Sequence, residues 1–282
     1  PDAITACACS PSTPHLAVGT HAGALVLWDR RRDTHLRTVQ VGSAVLDCAF
    51  AVDGRELLTA TNDGCVRLWS VDTGELLQVY PVSETEAKSC AFSPDGRHVL
   101  GAGFQVVRVF DRVSGREVTP PMSHDAHVYD AVYDPTGRYI ATSSEGADRG
   151  VRVWSAGGAP LARLEGPRLN GEACAFLPDG RLVMAANDSV RVWRSLEPDW
   201  RRPVVAAELR AHREAVMACG VDASGTSLVT IGQDGVTHLW DLTRYELVQS
   251  FDHDRSRTVS TSAGAISPDG LELATGGADG VV

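Results

Sequence analysis

Short runs in which apolar residues alternate with polar or small ones fill this chain, and each run stops at a cluster of turn residues. From Val45 to Tyr80 the order is VLDCAF, AVDGR, ELLTAT, NDG, CVRLW, SVDTG and ELLQVY. A period of two places alternate side chains on one face of a strand, and Asp-Gly and Asn-Asp-Gly are tight-turn sequences. The pattern predicts four short antiparallel strands in this stretch. No stretch carries a helical period, so the expected class is all-β.

The unit recurs. CAFSPDG, ending at Gly96, returns as CAFAVDG at Gly54, VYDPTG at Gly137, CAFLPDG at Gly180, VDASG at Gly225 and ISPDG at Gly270, at intervals of 42, 41, 43, 45 and 45 residues. A second run ends in an aromatic residue at Trp28, Trp69, Phe110, Trp154, Trp193 and Trp240. A lone four-stranded sheet cannot cover both of its faces, so copies at this period must stack on one another. The expected units are residues 1–40, 41–83, 84–123, 124–166, 167–210 and 211–254, with a partial copy over 255–282. The last copy stops before its aromatic position, so strands from outside the segment are expected to close the ring, and the segment is expected to belong to a longer chain.

These repeats resemble the WD-repeat (WD40) β-propeller family over essentially the whole chain. The resemblance implies blades of four antiparallel strands, six of them complete here and a seventh incomplete. It also implies a hydrogen-bonded chain of His, Ser or Thr, Asp and Trp inside a blade. His124, Thr142, Asp148 and Trp154 match it, as do His212, Thr230, Asp234 and Trp240, while Thr59, Asp63 and Trp69 match it without the His. The physical need is an acceptor for a buried indole N–H. Phe110 stands where Trp is usual.

Composition narrows the function. The chain has 282 residues, 43% of them hydrophobic and 22% charged, with a formal charge of −10, the wrong sign for gripping nucleic acid or an anionic membrane through charge alone. Its 26 basic residues include one lysine, Lys88. Seven cysteines without a C-x-x-C spacing point neither to a disulfide framework nor to a zinc site, and an intracellular, cytoplasmic or cytoskeleton-associated setting is expected. Cys7, Cys48, Cys90, Cys174 and Cys219 share one repeat position with Ala131 and Gly264, which marks a slot for small side chains. No metal, cofactor or catalytic residue is expected. A His, Thr and Asp close in space also suit a hydroxyl-nucleophile triad, but their recurrence at matching offsets suits a repeat better.

The candidate binding residues lie in loops. Trp200, Arg201 and Arg202 fall in LEPDWRRP, outside the aromatic slots, and Trp beside Arg is a frequent binding pair. DRRRD, Asp29 to Asp33, offers a basic turn to an acidic partner. By analogy with the family's narrower face, Asn62, Glu145, Arg149, Arg213, Glu214 and Gln233 are further candidates. The expected function is a non-enzymatic scaffold for protein partners within a larger cytoskeletal or ciliary type of assembly. The alternatives are the sensor domain of a bacterial signalling or defence protein and, less favoured, a propeller enzyme.

Overall fold

The structure, a computed structural model, describes residues 2–145, 150–165, 172–194, 203–252 and 261–281. Every regular element among them is a β-strand paired antiparallel with its neighbours. Ile4–Cys9, His15–Thr20, Ala24–Asp29 and Thr34–Gln40 (β1 to β4) form the first sheet. Val45–Phe50, Glu56–Thr61, Cys65–Ser70 and Leu76–Pro81 (β5 to β8) form the second. Ala87–Phe92, His98–Asp111, Met122–Tyr133, Tyr139–Ser144, Gly150–Ser155 and Pro160–Glu165 (β9 to β14) make one six-stranded sheet. Ala173–Phe176, Leu182–Ala186, Ser189–Trp193 and Val205–Arg210 (β15 to β18) follow, then Val216–Val221, Ser227–Gly232, Val236–Asp241 and Glu246–Asp252 (β19 to β22). Thr261–Ile266 and Leu273–Gly277 (β23 and β24) pair only with each other among the described residues.

The sheet count differs from the expectation of six complete blades and part of a seventh. Five sheets have four or more strands, because the third and fourth copies of the repeat run together. In the third copy Phe104 and Gln105 replace the Asn-Asp-Gly turn, Gln105 takes φ 60°, and β10 runs through 14 residues. Nothing in MSHDAHVYDAVY breaks the chain, so β11 pairs with β10 through Met122, Ser123 and His127 and with β12 from Val128 onward. The boundary expected between residues 123 and 124 falls inside this shared strand.

The repeated glycine has a backbone reason. Gly54, Gly96, Gly137, Gly180, Gly225 and Gly270 all have φ between 68° and 83°, and each N–H closes the turn onto the carbonyl three residues earlier. A side chain strains this left-handed conformation.

The first strand of each copy lies innermost, so β1, β5, β9, β11, β15, β19 and β23 neighbour one another in turn and β23 returns to β1. The inner strands thus form a continuous circle among the described residues, while the β23–β24 sheet has only two strands there. Cores lie between successive sheets: Ala17, Leu25 and Leu27 pack on Phe50, Leu57 and Trp69, and Val66, Leu68 and Tyr80 pack on Cys90, Val99 and Phe110. The small-residue slot is real estate between inner strands, and its partners across the hairpin are Cys48 to Thr59, Ala131 to Thr142 and Cys219 to Thr230. A Cβ on Gly264 would come within 2.0 Å of the Ile231 side chain. All seven cysteines are free, and burial pushes the Cys7 thiol up to about 12, which suits packing and not thiolate chemistry.

The indole N–H donors of Trp69, Trp154 and Trp240 reach the hydroxyls of Thr59, Thr142 and Thr230 at 2.9, 3.0 and 2.9 Å. His212 Nε2 lies 2.8 Å from the Thr230 hydroxyl and its Nδ1 3.1 Å from Asp234. Burial pushes the Asp234 carboxyl up, but the Arg213 N–H and the His212 imidazole outweigh it and hold it below the usual carboxylate range. His124 Nε2 lies 3.2 Å from Thr142, while Asp148 is outside the described residues. Without a histidine, Asp63 turns elsewhere: it accepts from Thr61 at 2.7 Å and pairs with Arg67, which holds its carboxyl down at about 2. Trp28 differs from the other tryptophans. It is half-buried where Trp69, Trp154, Trp193 and Trp240 are buried, and it faces the β23–β24 sheet.

Two carboxylates strap the inner strands together. Asp47 accepts from the N–H of Cys48 at 2.8 Å and, across to β9, from that of Cys90 at 2.9 Å. Asp130 accepts from Ser89 on β9 and from the Cys174 N–H on β15, both at 2.9 Å. Burial and then the charge of Asp130 push Asp47 up to about 7 in spite of those N–H donors.

Two outcomes are expected. Trp154→Ala and Trp240→Ala each cost ~3 to 5 kcal/mol by cavity formation, whereas Trp28→Ala costs no more than about 2 kcal/mol because less area is buried; urea unfolding of the three variants measures the difference. The second concerns pH. With its native pKa raised, Asp47 keeps its proton between about pH 4 and 7 in the folded chain while the unfolded chain releases it, so its contribution to stability falls as pH rises through that window. The stability of Asp47→Asn relative to the parent therefore improves by about 2.5 kcal/mol between pH 5 and pH 8. A pH-independent difference between the two proteins sinks this assignment.

Candidate interaction face at the mouth of the channel

The antiparallel order puts the turns between second and third strands on the same side of the ring as the loops that lead into each first strand. The side chains these loops present are not consumed by the sheets. Asn62, in the β6–β7 turn, and Gln233, in the β20–β21 turn, are exposed at matching places. Arg213 and Glu214 are exposed beside Gln233, with the Arg213 N–H anchored on Asp234 at 2.8 Å. Glu145 is half-buried and accepts from the Tyr129 hydroxyl at 2.8 Å. Arg149, Trp200, Arg201 and Arg202 lie outside the described residues. The structure thus sets Asn62 and Glu145 on one side of the mouth and Arg213, Glu214 and Gln233 beside another sheet. It does not gather the described candidates into one site.

What it does gather was not singled out by the repeat. Phe104, 40% exposed, meets His127 edge-on at 4.7 Å between ring centres, and His127 stacks toward Tyr129 at 6.3 Å. His127 Nδ1 lies 2.9 Å from Glu86. Asn62, Thr85, Glu86, Phe104 and His127 line a cavity of about 380 Å³. Tyr129 continues into the central channel, whose lining includes Asp47, Lys88, Asp130 and Glu172. Burial, and after it the charge of Glu145, raises the Glu172 carboxyl. The available signal was Phe104-Gln105, an apolar residue at a turn where other copies carry Asn-Asp-Gly.

Part of the basic turn is engaged within the fold. Arg30 pairs with Glu272 next to β24, Arg32 pairs with Asp29 at 2.9 Å, and Asp33 accepts the Trp28 indole N–H at 3.2 Å. Among the described residues no group of three or more His, Cys, Asp or Glu side chains is placed to hold a metal ion, and no helix is long and apolar enough to cross a membrane. The His, Thr and Trp sets are hydrogen-bonded among themselves beneath the surface.

Comparison with known proteins agrees with this architecture. The profile of the family described as WD domain, G-beta repeat matches residues 34–70, 118–155 and 204–241. Human transducin beta-like protein 2 is 29% identical over 215 residues, covering 68% of this chain and 47% of its own length. Mouse coronin-7 is 29% identical over 66% of this chain and 22% of its own length. Rat apoptotic protease-activating factor 1 is 25% identical over 68% of this chain and 16% of its own length. The chain therefore spans about half of these relatives' length or less. Residues 34–70 and 204–241 each run from an outer strand through to the aromatic strand of the following sheet and 118–155 spans β11 to β13, so the chain carries three stretches that match WD40 repeats.

Proposed function

We propose that this chain is a non-enzymatic platform for protein partners, presented by the face at the channel mouth. The observation that carries the reading is a division of labour: the histidines, hydroxyls and carboxylates that resemble catalytic sets are spent holding sheets together, while the mouth keeps an exposed aromatic and polar surface. Propellers present such loops from a rigid scaffold, which suits recognition. A scaffold role in a larger cytoskeleton-associated assembly is the setting favoured here, and the likeness to coronin-7 supports it; the likeness to a protease-activating factor supports a sensor domain as the second setting.

Strands from outside residues 1–282 are part of this proposal. The β24 edge at Leu273–Gly277 has no partner other than β23 among the described residues, and a cavity of about 750 Å³ opens beside Trp28. Thr275 lines it, opposite Gly264, in the register position that Thr59, Thr142 and Thr230 hold beneath a Trp. A two-stranded hairpin with a Trp on its first strand suits both the edge and the waiting hydroxyl.

Two experiments test these readings. Photo-crosslinking from Phe104 or Gln233 in the native cells is expected to give a discrete adduct of fixed mass that the opposite-face position Val113 does not give; equal labelling from both faces overturns the platform. A synthetic hairpin of alternating residues with a Trp on its first strand is expected to raise the melting temperature by several degrees, as binding to the folded state must, and the same hairpin with Ala for Trp is expected to do so less. No shift with either hairpin removes the closing-strand proposal.

A further inference from the structure

The partner's chemistry can be read from the mouth itself. Resting on the platform reading, we infer that this face receives an arginine side chain from an extended basic segment of a partner protein.

The aromatic row supplies a place for the guanidinium to lie. Phe104 is 40% exposed within β10, where other copies carry a polar turn, and its ring meets His127 edge-on while keeping a face to solvent. His127 and Tyr129 extend it as a continuous row from the cavity to the channel. Flat, weakly hydrated cations stack on such faces.

Charge sets the sign of the occupant. The residues lining the cavity and the channel include the carboxylates Glu86, Asp47, Asp130 and Glu172 and one Lys or Arg, Lys88; with Asp47 protonated up to about pH 7 and the others ionised they carry 1 − 3 = −2. Lys88 is already 3.1 Å from Glu86. Glu145 adds a further carboxylate at the end of the row, bound to Tyr129. A guanidinium relieves this crowding, because a cation stabilises the charged form of carboxylates that burial and mutual repulsion disfavour. The same lining repels phosphate, which argues against nucleic acid at this mouth.

Arginine is favoured over lysine for geometric reasons. Its planar fork can stack on Phe104 while its N–H groups face Glu86 or Glu172, whereas an ammonium is a hydrated point charge that does one or the other. The cavity of about 380 Å³ admits a single long side chain and leaves the rest of the segment lying across the exposed Asn62 side of the mouth.

The test uses fluorescein-labelled acetyl-Ser-Ala-Arg-Ala-Ser-Ala-Arg-Ala-Ser-amide and its counterparts with Lys or Glu in place of Arg, titrated by fluorescence anisotropy at low salt. Saturable binding of the arginine peptide is expected, at least tenfold tighter than the lysine peptide, with no binding of the glutamate peptide. Phe104→Ala and Glu172→Gln are each expected to weaken it at least fivefold, whereas Glu75→Gln, on the opposite side of the ring, leaves it unchanged. Absence of saturable binding, equal affinity for lysine, or an equal loss in Glu75→Gln overturns the inference. If the arginine peptide fails while crosslinks from Phe104 persist, the platform stands and its partner chemistry is wrong; loss of both removes the platform as well.

Discussion

Close approach of the inner strands is the constraint on which the rest of this structure depends. Seven first strands converge on one channel, and the side chain that points between neighbouring sheets has almost no room. Cysteine, alanine or glycine fills that position in every copy, and at Gly264 even a methyl group collides with Ile231. Because the slot is small, the hydroxyl opposite it at Thr59, Thr142 and Thr230 can sit at depth, where an indole N–H from the third strand finds it. The network is thus a consequence of the spacing. Where the aromatic residue has no N–H, at Phe110, the position opposite Cys90 is Gly101, and no acceptor is needed.

The same convergence makes the channel acidic at a cost. Asp47 and Asp130 satisfy backbone N–H groups across sheet boundaries, which orients adjacent inner strands, yet burial and their mutual charge disfavour the ionised state that does this best. A folded ring accepts such groups when the hydrogen bonds they make replace water on donors that would otherwise be stranded. Structure and recognition share this chemistry: the carboxylates that hold the inner strands also set the sign of what the mouth attracts.

Junctions between sheets are not equal. Most bury third- and fourth-strand residues of one sheet against the aromatic strand of the next, as Leu25 and Leu27 do against Trp69. The junction between β23–β24 and the first sheet has Ile4, Leu16, Val18 and Ala263 at its centre, with Trp28 half-buried and its indole turned to Asp33.

The sequence by itself determined the strands, the tight turns and the repeat, because period-two alternation and the Asp-Gly turns are local properties of a few neighbouring residues. The Thr–Trp pair inside a blade was legible only through the resemblance to the WD-repeat family, since spacing alone shows that both residues recur and not that they meet. Tertiary structure alone decided where copies fuse, since β11 serves two copies of the repeat only because nothing in MSHDAHVYDAVY forces a break once both neighbours are present. It alone turned Asp63 toward Arg67 and spent Arg30 on Glu272, pairings set by which side chains the ring brings within reach. The aromatic row of Phe104, His127 and Tyr129 was invisible for the same reason: its members lie on strands whose register and meeting are fixed only when the sheet forms.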